Sequence, residues 1–277
     1  MPNGADGIGH YFERIGYGGE ARVALPILQD LHWRHVSSIP FENLDVLLGR
    51  RIELDPARIT EKLVTARRGG YCFEHNSLYL GILKKLGFKA TALSARVWWG
   101  KKDGILPQRS HMTLKVELDG MDYLCDVGFG GLTPVAPLRW ELDVPQQTSH
   151  ETYRLAMLSD LRAEGEIALQ AEIDGGWETL YSFGPHAVDP ADFAMANWYV
   201  STHPDSFFTQ AMIAARPFGE GRHVLQDVKS TIRDRARRET ARQLASAAEL
   251  TGILSETFGL DLPEADIARL WARLPGR

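Results

Sequence analysis

The chain has 277 residues, 44% of them hydrophobic and 24% charged, with a formal net charge of −5. That length can bury a sizeable core and holds more than one domain, and the charge offers no basic field to draw nucleic acid or anionic lipid, so neither is expected as a partner. No run of about 18 apolar residues offers a membrane span, and residues 1–9 lack the basic-then-apolar pattern of a signal peptide. The two cysteines, Cys72 and Cys125, make no disulfide framework, which suits a reducing, cytoplasmic setting. They are too few for a cysteine zinc site, the HExxH pattern is absent, and no metal is expected.

In chain order, residues 20–36 place Val23, Leu28, Leu31 and Val36 near helical spacing, with Pro26 in an early turn or bend. Asp55 and Pro56 predict a capped helix to about Ala66, broken by Arg68-Gly69-Gly70. A further helix is expected from Cys72 to Leu86, stopped by Gly87. Residues 91–99 have strand composition, and 111–118 alternate apolar and polar. Asp119-Gly120 is a two-residue hairpin signal with 121–127 as the return strand. More strands are expected at 153–158, 167–173 and 177–183, the last two joined at Gly175-Gly176. The remainder reads as a helix over 191–199, a strand pair over 223–232, and helices over 239–258 and 264–274. Helices, then antiparallel strands, then a mixed segment describe an α+β protein of three packed parts.

Cys72 stands out by context. Gly69-Gly70 permit a sharp turn and a helix starts directly after them, so the thiol falls in a first helical turn, where unpaired N–H groups, the helix dipole and nearby arginines favour thiolate. The ordinary fate of a free cysteine, a small buried apolar residue, is the competing reading. A nucleophilic cysteine needs a histidine and a third group to orient it. A two-residue loop at Asp119-Gly120 sets Leu118 opposite Met121, hence Thr113 opposite Asp126 and His111 opposite Gly128. His111 and Asp126 then share a sheet face as diagonal neighbours, about 7–8 Å apart at the backbone. Met112, Leu114, Val116, Tyr123 and Cys125 fall on the opposite, core-like face, which makes Cys125 structural.

Gly128-Phe129-Gly130-Gly131 follows Asp126, and its backbone N–H groups are candidates for binding an oxyanion or phosphate; a plain turn is the alternative. Trp98 and Trp99 end a strand as either pocket wall or core. Pro40-Phe41-Glu42-Asn43-Leu44 carries polar residues that need partners if buried, the mark of a structural knot.

Four segments together resemble the arylamine N-acetyltransferases: Arg68-Gly69-Gly70-Tyr71-Cys72-Phe73-Glu74; Ile39-Pro40-Phe41-Glu42-Asn43-Leu44; Asp126-Val127-Gly128-Phe129-Gly130-Gly131; and Asn197-Trp198-Tyr199 with Ser201-Thr202-His203-Pro204-Asp205-Ser206-Phe207-Phe208. The resemblance implies a helical N-terminal domain (1–87), a central antiparallel β-barrel (88–188) and a C-terminal α/β lid (189–277). It implies a Cys-His-Asp triad of Cys72, His111 and Asp126, with acetyl-CoA as co-substrate and an arylamine, arylhydrazine or heterocyclic amine as acceptor. Phe129 and Phe41 become candidates for acceptor binding, and Gly130, Trp98 and Phe208 for the CoA cleft. A transglutaminase-like or papain-like thiol hydrolase uses the same triad and is the alternative enzyme; a silent binding module that keeps the fold is the non-enzymatic one.

Overall fold

The structure is a computed structural model that describes residues 6–101, 105–236 and 238–275. Helices α1 (Asp6–Ile15) and α2 (Leu25–Ser38) open the chain, with Pro26 in the first turn of α2, where its missing N–H breaks no helical bond. β1 (Phe41–Glu42) and α3 (Leu44–Leu47) follow. α4 (Pro56–Thr60) is capped as expected by the Asp55 carboxylate, which accepts from Ala57 N and Arg58 N. It passes into a π-helical turn, Glu61–Thr65, and Arg67, at φ 52°, ends the run. α5 (Cys72–Lys85) begins at the foreseen position.

An antiparallel sheet comes next: β2 (Lys89–Val97), β3 (His111–Leu118), β4 (Met121–Cys125), β5 (Leu138–Arg139), β6 (Gln146–Gln147), β7 (Thr152–Met157), β8 (Ile167–Ile173) and β9 (Gly176–Phe183). The spatial order β5-β4-β3-β2-β9-β8-β7-β6 curls the eight strands into a nearly closed barrel. At the seam, the Gln146 side-chain amide bonds Arg139 twice: Oε1 accepts from Arg139 N at 2.7 Å and Nε2 donates to Arg139 O at 2.8 Å. A side chain thus does at the seam what a ladder does elsewhere.

The third segment holds α6 (Pro190–Thr202), α7 (Phe207–Gln210), β10 (Ile213–Phe218), β11 (Gly221–Gln226), β12 (Lys229–Asp234), β13 (Glu239–Gln243), α8 (Ala247–Gly252) with a π-helical turn at Ile253–Thr257, and α9 (Glu264–Arg273). The expected strand pair is β11–β12. It sits inside a five-stranded sheet, β1-β10-β11-β12-β13, whose first strand comes from the other end of the chain. The helix expected over 239–258 is corrected in its first part: residues 239–243 are a strand, and helix begins at Ala247. Arg, Glu, Ala and Gln there favour helix intrinsically, but five residues of β13 pair with β12, and that ladder outweighs a propensity difference of a few tenths of a kcal/mol per residue.

Core side chains gather in three clusters. The first joins α1, α2 and α5 to the helix-facing side of β2, β3 and β4; it contains Met112, Leu114, Val116, Tyr123 and Cys125, the face the hairpin register assigned to the core. The second fills the space between the five-stranded sheet and α8–α9, and the third fills the barrel. The polar run at residues 40–44 is the knot that ties the first two together. Arg68 Nη2 bonds Glu42 Oε1 at 2.7 Å, Leu44 N donates to Glu42 Oε2 at 2.7 Å, and Asn43 Nδ2 bonds the Phe208 and Ala211 carbonyls at 2.9 and 2.7 Å. Lys62 bridges Asp45 and Glu74 at 2.9 and 2.8 Å.

The turn before Cys72 is held from both sides. Glu42 N donates to Gly70 O at 2.7 Å, and Tyr71 N donates to Glu74 Oε2 at 3.1 Å, half of a capping box. Gly69 admits no side chain: a Cβ there would lie 2.2 Å from the Pro40 carbonyl oxygen, a backbone atom fixed in the knot. Gly69→Ala is expected to cost about 1–3 kcal/mol of stability or more, read as a lower denaturant midpoint at unchanged slope.

Candidate active site

α5 delivers Cys72 in its first turn, and β3 delivers His111 as its first residue. The β3–β4 ladder runs in the expected register from Leu118↔Met121 to Leu114↔Cys125 and stops one pair before Thr113 would face Asp126. Asn76, one turn after Cys72 on α5, enters the opening. Its Nδ2 donates to Met112 O at 2.7 Å and to Asp126 Oδ1 at 3.0 Å, and its Oδ1 accepts from Val127 N at 3.2 Å. The amide satisfies backbone groups that the parted strands no longer satisfy for each other. The return strand therefore peels away, and Asp126 turns toward His111.

His111 Nε2 and Asp126 Oδ2 are 2.6 Å apart, with both side chains almost fully buried. Asp126 Oδ1 also accepts from Gly128 N at 2.9 Å. That carboxylate therefore takes three donors, and one backbone N–H of the glycine-rich run is spent on it rather than free for an anion. The Cys72 thiol is buried and lies 3.8 Å from the Ser110 carbonyl. Gly128 presses on the same turn: a Cβ there would meet Cys72 Cα at 2.9 Å. The loop after Asp126 is gripped from behind. Arg222 Nη2 donates to Thr133 O at 2.8 Å, and Tyr153 OH to Leu132 O at 3.1 Å. Arg68, expected to help hold a thiolate, is instead engaged by Glu42 and Asp45.

The electrostatics follow from this packing. Burial alone lowers the pKa of the His111 ring, but the Asp126 charge, its hydrogen bond and the adjacent Cys72 sulfur more than reverse that and raise it to about 10. For Asp126, burial raises the carboxyl, and the His111 charge with the His111, Asn76 and Gly128 donors outweighs it, leaving the group below the usual carboxylate range. Cys125 shows the contrast: burial, with Asp126 adding to it, pushes its thiol far up. The folded state binds the His111 proton more tightly than the unfolded chain. Its stabilisation is therefore full below the unfolded value of 6.5 and is lost as pH rises through about 10. Asp126, shifted down, contributes above its unfolded value of 3.8 and loses that contribution as pH falls through its lower folded value. Chemical denaturation should show the stability gap between wild type and Asp126→Asn closing as pH climbs from neutral toward about 10.

Other expected site residues divide. The Phe129 ring meets His111 edge-on at 5.3 Å, and Tyr181, unmarked in sequence, sits 4.8 Å from His111 and 5.1 Å from Phe129. Gly130 packs against the Phe41 ring, which lies 5.9 Å from Phe208. Trp98 is tied to β9, its Nε1 donating to Ser182 Oγ at 2.7 Å, and Ser182 in turn to Glu166 at 2.6 Å. A cavity of about 250 Å³ lined by Glu151, Glu172, Arg222 and Arg233 contains none of Cys72, His111 and Asp126. The side-chain constellation marks the site. Among the described residues no cluster of three or more His, Cys, Asp or Glu could hold a metal, and no helix is long and apolar enough to cross a membrane.

A constellation of cysteine, histidine and aspartate can support acyl transfer through sulfur, and the proteins this chain is similar to are acetyltransferases. The N-acetyltransferase family model matches residues 24–267. An arylamine N-acetyltransferase of Mycobacterium tuberculosis (strain ATCC 25618 / H37Rv) is 41% identical, with 96% of each chain covered. That of Escherichia coli (strain K12) is 38% identical, covering 93% of this chain and 90% of its own. Among solved structures, the arylamine N-acetyltransferase from M. tuberculosis matches with TM-score 0.90 and 39% identity over 95% of this chain and 99% of its own. The Mycobacterium marinum arylamine N-acetyltransferase in complex with CoA matches with TM-score 0.91 and 35% identity over 96% and 99%. With the family model spanning most of its length and relatives near 40% identity across nearly all of it, this chain belongs to the arylamine N-acetyltransferase family.

Proposed function

We propose that the chain transfers an acetyl group from acetyl-CoA to an arylamine, arylhydrazine or heterocyclic amine by a two-stage reaction through acetyl-Cys72. The observation that carries this reading is the buried His111–Asp126 pair at 2.6 Å beside the Cys72 sulfur. With Nε2 turned to Asp126, the other ring nitrogen, Nδ1, serves Cys72. A histidine whose pKa is raised to about 10 carries its proton at neutral pH, so an imidazolium stands beside the Cys72 sulfur, where its charge favours the nucleophilic form.

In the first stage Cys72 Sγ attacks the thioester carbonyl. The bond from that carbon to the CoA sulfur breaks, the His111 imidazolium gives its proton to the departing sulfur, and CoA leaves as the thiol. In the second, the acceptor nitrogen attacks the acetyl carbonyl of Cys72. His111, now neutral, takes the proton from the amine, and the C–S bond breaks to return the thiolate and the imidazolium. Asp126 stabilises the charged ring in both stages and fixes its tautomer. Phe129 and Phe41 wall the acceptor side; Gly130, Phe208 and Trp98 border the CoA path. Burial of the site excludes the water that would hydrolyse the acetyl-cysteine.

In this reading the chain divides at 87/88 and 188/189, nucleophile on the first part, His111 and Asp126 on the second, and it acts in the cytosol, in keeping with its two unpaired cysteines. Intact-protein and peptide mass spectrometry after exposure to acetyl-CoA alone tests the mechanism. One acetyl group on Cys72, discharged by added arylamine, is expected; an unmodified Cys72 with turnover intact would overturn it.

A further inference from the structure

Three buried side chains that the reaction does not use form a line ending beside Cys72. Tyr11 OH is 2.9 Å from His35 Nδ1, His35 Nε2 is 2.9 Å from His75 Nδ1, and His75 Nε2 is 3.1 Å from the Pro40 carbonyl oxygen. None of the three is more than 1% exposed. They come from α1, α2 and α5, and the end of the line is the residue before β1.

The direction of the line follows from its last member. A carbonyl only accepts, so His75 Nε2 carries hydrogen. Burial, the dominant cause, lowers the pKa of His75 to about 4 and that of His35 well below its ordinary value, so both rings are neutral at neutral pH. A neutral ring with hydrogen on Nε2 has a bare Nδ1, so His75 accepts from His35 Nε2–H. His35 Nδ1 is then bare in turn and accepts from the Tyr11 hydroxyl. Every donor finds an acceptor, and with both rings neutral no other assignment satisfies all three contacts.

The last link reaches the nucleophile by two routes. The Pro40 oxygen occupies the place a Gly69 side chain would take, 2.2 Å from its Cβ position, so the carbonyl that His75 holds is the wall of the glycine turn leading into Cys72. His75 also lies three residues after Cys72, its ring near parallel to that of Phe41 at 6.4 Å and 13°, while Gly128 packs so close to both that a Cβ there would meet His75 Cβ at 3.0 Å and Cys72 Cα at 2.9 Å. A rotation of His75 therefore moves the glycine turn, Phe41 or the first turn of α5.

We infer that the uncharged chain Tyr11→His35→His75→Pro40 is a positioning device, with His75 the residue that sets the Cys72 turn for acyl transfer. This rests on the acetyl-Cys72 reading, but its test does not need acetyl-CoA. Nitrogen NMR of the wild-type rings at neutral pH should show His35 and His75 both neutral with hydrogen on Nε2, and a coupling across the His35–His75 bond. A charged ring, or hydrogen on Nδ1 of either, overturns the chain. His75→Phe keeps a flat ring against Phe41 and removes both bonds. Its rate of Cys72 alkylation by iodoacetamide, and its kcat more than its KM, should fall roughly tenfold to a hundredfold. Tyr79→Phe is the control. It removes the buried bond from α5 to Leu28 O and leaves the chain alone, so it should lower thermal stability with an unchanged alkylation rate. If His75→Phe does not fold, His35→Leu, which has no polar atom, breaks the middle link with the first turn of α5 intact, and the same fall is expected. A wild-type alkylation rate in whichever variant folds would make the line structural only. A normal alkylation response with no acetyl-Cys72 would instead sink the mechanism and keep the chain.

Discussion

Replacing Cys72 with alanine is expected to reduce acetyl transfer by roughly 10⁴–10⁶-fold, because members of a nucleophile–base unit lose nearly everything when one is removed. Both half-reactions should go together. Without sulfur no acetyl group is retained after acetyl-CoA, and no arylamine is acetylated from it. The alternative, direct attack of a bound amine on acetyl-CoA, predicts a different outcome: His111 and Asp126 remain, and a sizeable residual rate survives. The fold should tolerate the change. Cys72 is a small side chain against Gly128, and its loss leaves the His111–Asp126 bond and the Asn76 contacts standing. Cys125→Ala separates the two thiols. Cys125 lies in the core with burial holding its proton on, so its removal should lower stability and leave acetylation of Cys72 untouched. Acetyl-CoA half-reactions followed by peptide mass spectrometry, with circular dichroism for folding, read all of these.

What was legible in the sequence was local. Gly69-Gly70 before a helix, Asp55-Pro56 opening another and the Asp119-Gly120 turn each act over a few residues, and the elements they announce stand where expected. The hairpin register even predicted which strand faces enter the core. It stopped short at the site itself, since pairing arithmetic assumes a ladder that continues. Here Asn76, from another element, parts the strands, and the contact from His111 to Asp126 owes as much to that wedge as to the register. The spacing Cys72 to Asn76, one helical turn on one face, was the available signal. β10 was missed for a related reason. Its Ala214-Ala215 and Pro217 are poor strand formers, and it exists because β1 and β11 flank it, with Asn43 Oδ1, just past β1, accepting from Ile213 N across 170 residues of chain. The polar knot at residues 40–44 was readable as needing partners, but the partners, Arg68, Phe208 and Ala211, are set by tertiary packing.

Asp126→Asn should cut kcat by about 10³–10⁴-fold while leaving the protein folded, the size expected when a triad acid becomes an amide. The argument runs through the hydrogen bonds. Oδ1 of Asp126 accepts from Asn76 and from Gly128 N, and an asparagine oxygen accepts both equally well. The amide nitrogen is thereby forced into the Oδ2 position, 2.6 Å from His111 Nε2, and it is a donor. His111 must then present a bare Nε2 and carry its proton on Nδ1, toward Cys72. A ring in that tautomer has no lone pair for the thiol proton. Without the Asp126 charge, burial also takes over, and the ring pKa should drop from about 10 to below its ordinary value of 6.5. Two losses follow from one atom: the positive charge beside the Cys72 sulfur disappears, and the base that receives the amine proton is turned the wrong way. Alkylation of Cys72 at neutral pH should slow in step with kcat. Nitrogen NMR of His111 should show a charged ring in the wild type and a neutral ring with hydrogen on Nδ1 in the variant. An Asp126→Asn enzyme with wild-type alkylation and a charged His111 would mean that some other group holds the proton, and the pair at 2.6 Å would be a structural contact alone.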